Sequence, residues 1–443
     1  LSIKTRIIFL LFIFVVFNLI LLIGNNLSTV NITLSAQSKF FFEPQNAFIA
    51  IISEPDGFTK TNISSEILKG ILAIKKEFPI SVLLLTPESY ENTKEEILYA
   101  INSKANIIIT SGEENRDTIL SLALENPDTF FIGVDMFSND LDINQFIKKP
   151  TPRNLNFLLY KEEEAGFLAG IFAGLITKDY SSITNKLNAE NIVGIIIANK
   201  NDSKNRYEFG FRLGVLAIND KCSILSNQLD DENDFYLIRK FTTNLYQNSA
   251  DLVFQLCGQG SAAAIQSAYL NGNLIIGYEF DQNIYAPSNV ITSAIKKISS
   301  SVYYYIKKSF LIGFISGVLR LGIKDGAVGL ASFHEFDLLI PNQIKDAIYT
   351  ASTSIAEGKI TIPFVSMTLK EEDISFENKE NQQSTEQSTQ QSDQQLEQND
   401  DNSDDQTSDQ TSEENDESQQ NSDQQPGDNQ TTDQNNESQQ DKF

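Results

Sequence analysis

From Ala47 to about Pro363 the chain alternates short apolar runs with amphipathic stretches. AFIAIIS, ISVLLLT, ANIIIT and TFFIGV are nearly unbroken apolar runs, the pattern of strands buried on both faces. Between them SSEILKGILAIKKEF, TKEEILYAINSK and NRDTILSLALENP carry apolar residues at helical spacing, and Asn126-Pro127 ends the third, since the residue before a proline is pushed out of the helical region. A second series repeats the scheme: NIVGIIIA, CSILSN, DLVFQLC and NLIIGY alternate with NRYEFGFRLGVLAI, DFYLIRKFTTNLYQN and GSAAAIQSAYLNG. Strands alternating with helices predict a parallel sheet, and two successive series predict two such sheets.

Within EEEAGFLAGIFAGL, Gly166, Gly170 and Gly174 recur every four residues. Such a row serves either as a membrane dimerisation face or as the side of a soluble helix packed closely on a sheet. Glu162, Glu163 and Glu164 suit the positive end of a helix dipole, and the apolar part is too short to span a bilayer. Close packing is therefore the expectation.

Charge divides the chain of 443 residues unevenly. The net charge is -25, but from Asp373 onward there are 20 acidic against two basic side chains, which leaves -7 for the rest. ENKENQQSTEQSTQQSDQQLEQNDDNSDD and its continuation hold almost no apolar residues, so burial there cannot offset chain entropy. Residues 373–443 are expected to be a disordered acidic tail, and DDNSDD lacks the glycine and ligand spacing of a calcium hand. At the other end SIKTR precedes IIFLLFIFVVFNLILLI, an apolar run of 17 residues broken only by Asn18. It fits a long secretory segment or a short membrane anchor, so residues 1–36 are expected to direct export or tether the chain, with the remainder outside the cytoplasm. Residues 44–372 are left for a two-lobed domain.

Catalytic chemistry finds little material. Cys222 and Cys257 would lie at opposite ends of strands in one sheet, beyond disulfide reach, and two free thiols are expected. The single histidine, His334, stands in SFHEFD between Phe333 and Phe336, without a second histidine, a nucleophile elbow or a metal-ligand cluster. No catalytic residue, metal site or cofactor is expected, and the acidity argues against nucleic acid as a partner.

GIKDGAVGLASFHEFDLLIP, followed by NQIKDAIYTASTSIAEGKITIP, closely resembles the C-terminal end of the basic membrane protein family, the nucleoside-binding components of ABC transporters. YKEEEAGFLAGIFAG, NRYEFGFRLGVLAIN and GYEFDQNIYAPSNVITSAIKK are similar to three further motifs of that family, in the same order. The resemblance covers Ala47 to Pro363. It implies a type I periplasmic-binding-protein fold: two doubly wound α/β lobes joined by three crossing strands, with a ligand enclosed between them at the carboxyl ends of the strands. An ABC permease and ATPase are the implied partners, the cell envelope is the implied location, and His334 is expected to pack or bond to a neighbouring loop.

The same resemblance supplies candidate ligand contacts. Tyr207 stands where the family has a base-stacking phenylalanine. Glu279 and Asp281 match two aspartates that accept ribose hydroxyl protons, and Lys296 matches the lysine that donates to the same hydroxyls. Gly258 and Ser261, in CGQGSAA, occupy the glycine-rich strand-to-helix turn. Asp135, in IGVDMF, matches an acid at the base edge. The first lobe departs from the pattern: in EPDGFTKTNISSEILKG, Thr59 and Lys60 replace two acids, Asn62 a serine and Ile63 the second stacking phenylalanine. The resemblance thus implies transport of a nucleoside or related small molecule. A ligand sensor or surface binding protein of the same fold, working without a transporter, is the alternative.

Overall fold

Each of the eight apolar runs forms a strand. In the computed structural model, which describes residues 47–59, 62–137, 143, 146, 148, 151–178 and 186–363, they belong to two six-stranded sheets. The apolar N-terminal run, Lys60 and the acidic tail lie outside the described residues. Lobe 1 contains β1 (Phe48–Ile52), α1 (Ile63–Lys75), β2 (Ser81–Leu85), α2 (Thr93–Asn102), β3 (Ile107–Ser111), α3 (Arg116–Glu125), β4 (Phe130–Val134) and β5 (Leu155–Tyr160). Lobe 2 contains α4 (Glu162–Lys178), β6 (Ile192–Ala198), α5 (Asp202–Ile218), β7 (Ser223–Leu229), α6 (Phe235–Gln247), β8 (Leu252–Leu256), α7 (Ser261–Asn271), β9 (Leu274–Glu279) and β10 (Val290–Lys296). The chain then returns through α8 (Ile298–Ile312) to β11 (Gly317–Leu321), and finishes on lobe 2 with β12 (Val328–Leu330) and α9 (Asn342–Ala356).

The sheets run β11-β5-β4-β3-β1-β2 and β12-β10-β9-β8-β6-β7, the same winding twice. All pairings are parallel except β10 with β12. The chain crosses between lobes three times, after β5, after β10 and after β11. One apolar core, holding Ile49, Leu158, Phe172, Phe211 and Phe254 among others, continues through both lobes, and each sheet covers its other face with a separate core. Two apolar runs are not buried on both faces as their sequence suggests: β2 and β7 are sheet edges, and Leu84 is 44% exposed. An edge strand has a neighbour on one side only, so hydrophobicity alone does not fix its place in the sheet.

The glycines of α4 pack against a second helix rather than against the sheet. A Cβ at Gly170 would meet the carbonyl oxygen of Phe211 at 2.0 Å, and one at Gly166 that of Tyr207 at 2.3 Å. From the other side, Gly210 and Gly214 of α5 face the carbonyls of Glu163 and Phe167 at 2.1 Å. The two helices therefore meet backbone to backbone. Cys222 and Cys257 are free and buried. No helix of the described residues is long and apolar enough to cross a membrane.

Candidate ligand-binding cleft

Both sheets have their topological switch point beside the first strand, between β1 and β3 and between β6 and β8. Doubly wound sheets bind ligands outside the carboxyl ends of strands at such points. A cavity of about 470 Å³ lies there, lined from lobe 1 by Glu54, Asp56, Asn62 and Ile63 and from lobe 2 by Lys204, Glu232, Gly258, Ser261, Glu279 and Lys296.

The lobe 1 wall is the turn between β1 and α1. Asn62 caps α1 by accepting from the Ser65 amide at 2.9 Å, and its own amide donates to Asp56 Oδ2 at 3.0 Å and to the Gly57 carbonyl at 2.8 Å. Glu54 accepts from Ser111 Oγ, at the end of β3, at 2.8 Å. Burial pushes the Glu54 carboxyl up, Ser111 pulls it down, and the neighbouring Asp56, Glu114 and Glu279 raise it further.

On lobe 2, Asn201 caps α5 and Lys204 turns back over the end of β6 to the Ala198 carbonyl at 2.7 Å and Glu232 Oε2 at 2.7 Å. Gly258 has φ +55°, and a Cβ there would meet Glu232 Oε2 at 2.1 Å, so a side chain in the turn after β8 would be strained and would displace the Glu232 carboxylate. Its amide donates to Tyr278 Oη at 2.7 Å, and Ser261 Oγ donates to the Gly258 carbonyl at 2.7 Å.

Lys296 closes the floor. Its ammonium lies 2.6 Å from Asp135, 3.1 Å from Glu162 and 3.6 Å from Glu279, with Ser203 Oγ at 3.5 Å. Asp135 comes from lobe 1, Glu162 from the first crossing and Glu279 from lobe 2. Burial alone would neutralise the lysine, but the three carboxylates hold its pKa well above the ordinary value. Burial likewise works against Glu162, which Arg206, 2.8 Å away, and Lys296 keep well below the usual carboxylate range. Glu279, a third exposed, is raised by burial against the pull of Lys296.

Asp135 and Glu279 occupy matching places, at the carboxyl ends of the fourth strands of their lobes, and both are left-handed, with φ 58° and 67°. That conformation costs a non-glycine residue about 1–2 kcal/mol and aims both carboxylates at one ammonium. Three donors on Lys296 facing four oxygen partners leave it saturated, with its side chain 1% exposed.

Several sequence candidates therefore converge, and others do not. Glu279, Lys296, Gly258, Ser261, Asn62 and Ile63 line the cavity, and Asp135 stands behind its floor, bonded to Lys296. Tyr207, expected to stack on a base, is fully buried and forms no part of the wall; its ring packs edge-on against Tyr278 and Phe254. The row of glycines draws the Tyr207 backbone against α4, and the ring points into the core. Asp281 also turns away from the cavity, accepting from His334 Nε2 at 2.7 Å. His334 thus bonds to a neighbouring loop. Lys60 lies outside the described residues. Sequence reasoning passed over Glu54, Asp56, Lys204 and Glu232, although Glu54 and Glu232 lie in the short turns just after β1 and β7, the one local signal that marks them. Among the described residues no group of three His, Cys, Asp or Glu side chains is placed to hold a metal ion.

The fold is shared with solved structures. An ABC transporter solute-binding protein from Aeropyrum pernix K1 superposes with TM-score 0.56 at 18% identity, covering 72% of this chain and 94% of its own. A transcriptional activator of the comK gene from Bacillus halodurans gives 0.58 at 16% identity, over 72% of this chain and all of its own. Two doubly wound lobes with a polar cavity between them define the type I periplasmic-binding-protein fold. Residues 46–367 match the family described as "ABC transporter substrate-binding protein PnrA-like", and the chain belongs to that family of binding proteins, which are not enzymes. It is 26% identical to basic membrane protein A1 of Borrelia garinii subsp. bavariensis over 75% of this chain and 93% of the relative. It is also 26% identical to basic membrane protein D of Borreliella burgdorferi, over 67% and 82%.

Proposed function

We propose that the protein captures a nucleoside or a related polyhydroxylated small molecule outside the cytoplasmic membrane and delivers it to an ABC permease and ATPase. Residues 1–36 export or anchor it. The observation that carries this reading is the Lys296 cluster, which gathers carboxylates from lobe 1, the crossing and lobe 2 at the cavity floor. Glu279 opens onto the cavity as an acceptor for vicinal hydroxyls, and its position depends on the alignment of both lobes. With Tyr207 out of the wall, the rings left to meet a base are Tyr278, Phe280 and Tyr285 of lobe 2, with Ile63 on the lobe 1 side.

Isothermal titration of the ligand-stripped chain against adenosine, guanosine and uridine, with free bases and simple sugars as controls, tests the proposal. Saturable nucleoside heat that disappears in Lys296→Ala with Glu279→Ala supports it, and binding retained in that double variant refutes the ribose assignment. Nucleoside uptake by cells that is unchanged when the protein is deleted would favour a sensor over an importer component.

A further inference from the structure

The charges of the cavity wall do not balance. Lys204 is matched by Glu232 at 2.7 Å, Glu66 by Lys69 at 2.6 Å, and Lys296 is enclosed by three carboxylates. Glu54 and Asp56 remain. Their bonding partners are neutral, the Ser111 hydroxyl and the Asn62 amide, and among the described residues no ammonium or guanidinium lies in ion-pair contact with either. Among the described residues, the titratable groups facing Glu54 are Asp56 from its own turn, Glu114 from the turn after β3, Glu279 from β9 and the phenol of Tyr90. None of these carries positive charge. Tyr90 reports the same field: burial and the carboxylates of Glu54, Glu114 and Asp56 push its pKa up to about 12.

A ligand entering this cavity meets acceptors on the lobe 1 side and finds both lysines committed. Among the described residues no free cation faces these carboxylates, so an anionic group would be desolvated against them, whereas a cationic group would complete two charge-assisted bonds. We infer that the ligand meets lobe 1 through a positively charged group held by Glu54 and Asp56. This rests on the ligand-capture reading of the cleft and adds to it a ligand class: cationic on one side, hydroxylated on the other. Anionic analogues, phosphate esters included, are rejected.

The test uses the full chain and two charge series on fixed scaffolds. One comprises adenosine, 1-methyladenosine, whose base is cationic at neutral pH, and xanthosine, whose base is anionic. The other comprises glucose, glucosamine and glucuronate. Titrations are made at low and high salt with wild type and with Glu54→Gln/Asp56→Asn. The expected result, in whichever series binds, is a cationic member about tenfold or more tighter than the neutral one at low salt, with the gap narrowing as salt screens it. The double variant, shown by its thermal unfolding to be folded, should lose that advantage and bind the cationic member no tighter than the neutral one. Equal affinities for neutral and cationic members, a tightest anion, or a cation preference that survives in the double variant overturns the inference and leaves ligand capture standing. Failure of every probe to bind saturably overturns the capture reading, and this inference with it.

Discussion

Replacing Gly170 with alanine tests how closely α4 and α5 are joined. The added Cβ would lie 2.0 Å from the Phe211 carbonyl oxygen, where ordinary contacts begin at 3.4 Å. The obstacle is backbone, so no rotamer change relieves it, and the helices must part by about 1 Å or more. Alanine gains about 1 kcal/mol over glycine in a helix interior. Against this, overpacking costs about 1–3 kcal/mol, and parting the helices also loosens the contacts at Gly166, Gly210 and Gly214, for an expected net loss of about 2–3 kcal/mol. With an unfolding entropy near 2.1 cal/mol/K per residue over about 300 residues, Tm should fall by about 3–5 °C. Differential scanning calorimetry measures this, with Gly329→Ala as control, because a Cβ there meets only the Lys297 side chain at 3.6 Å. A Gly170→Ala protein as stable as wild type would refute the backbone-to-backbone account.

Lys296→Met strands Asp135 and Glu279 without their ammonium, and losing one partner of a buried ion pair costs about 3–5 kcal/mol. Carboxylates left this way have raised folded-state pKa values, so the variant should regain stability as pH falls; urea unfolding that shows the same loss at pH 5 and pH 8 would count against the cluster. Glu163 is pushed by burial up to about 7 from 4.5, despite Arg320 at 3.3 Å. An acid with a raised folded pKa gives stability that is full below about 4.5, is lost as pH rises towards 7 and is constant above. Glu163→Gln should therefore gain on wild type in Tm between pH 5 and pH 8, and an unchanged gap would mean that another group titrates. The His334 and Asp281 side chains are 31% and 38% exposed, so His334→Ala should cost less than about 1 kcal/mol and leave ligand titrations unaltered; lost binding would give the histidine a role this geometry denies it.

The order of strands and helices was legible because each buried strand is a bounded apolar run and each helix repeats at its own period. NIVGIIIA became β6 and NRYEFGFRLGVLAI most of α5. The crossing strands were harder: VITSAIK of β10 and GVLRL of β11 mix polar and apolar residues, since each ends where the chain leaves one lobe for the other. In the site, Lys296 and Glu279 were found through motif resemblance, whereas no local pattern announces that Asp135 adopts φ 58° and reaches the same ammonium. Tyr207 was misplaced because a motif gives the position of a residue on a helix and not the direction its ring takes once the helix is drawn against glycines.

The glycine-lined contact also bears on how an occupied cleft becomes visible from outside. Only Lys161 separates β5 from α4, and the first turn of α4 already presses on α5 through Glu163 and Gly210. Asn201 and Lys204, which border the cavity, sit at the near end of that same α5. With no layer of side chains between them to absorb a shift, the two helices would move as one stiff body about the crossing, so a displacement at the ligand wall would be carried along their length rather than lost in repacking.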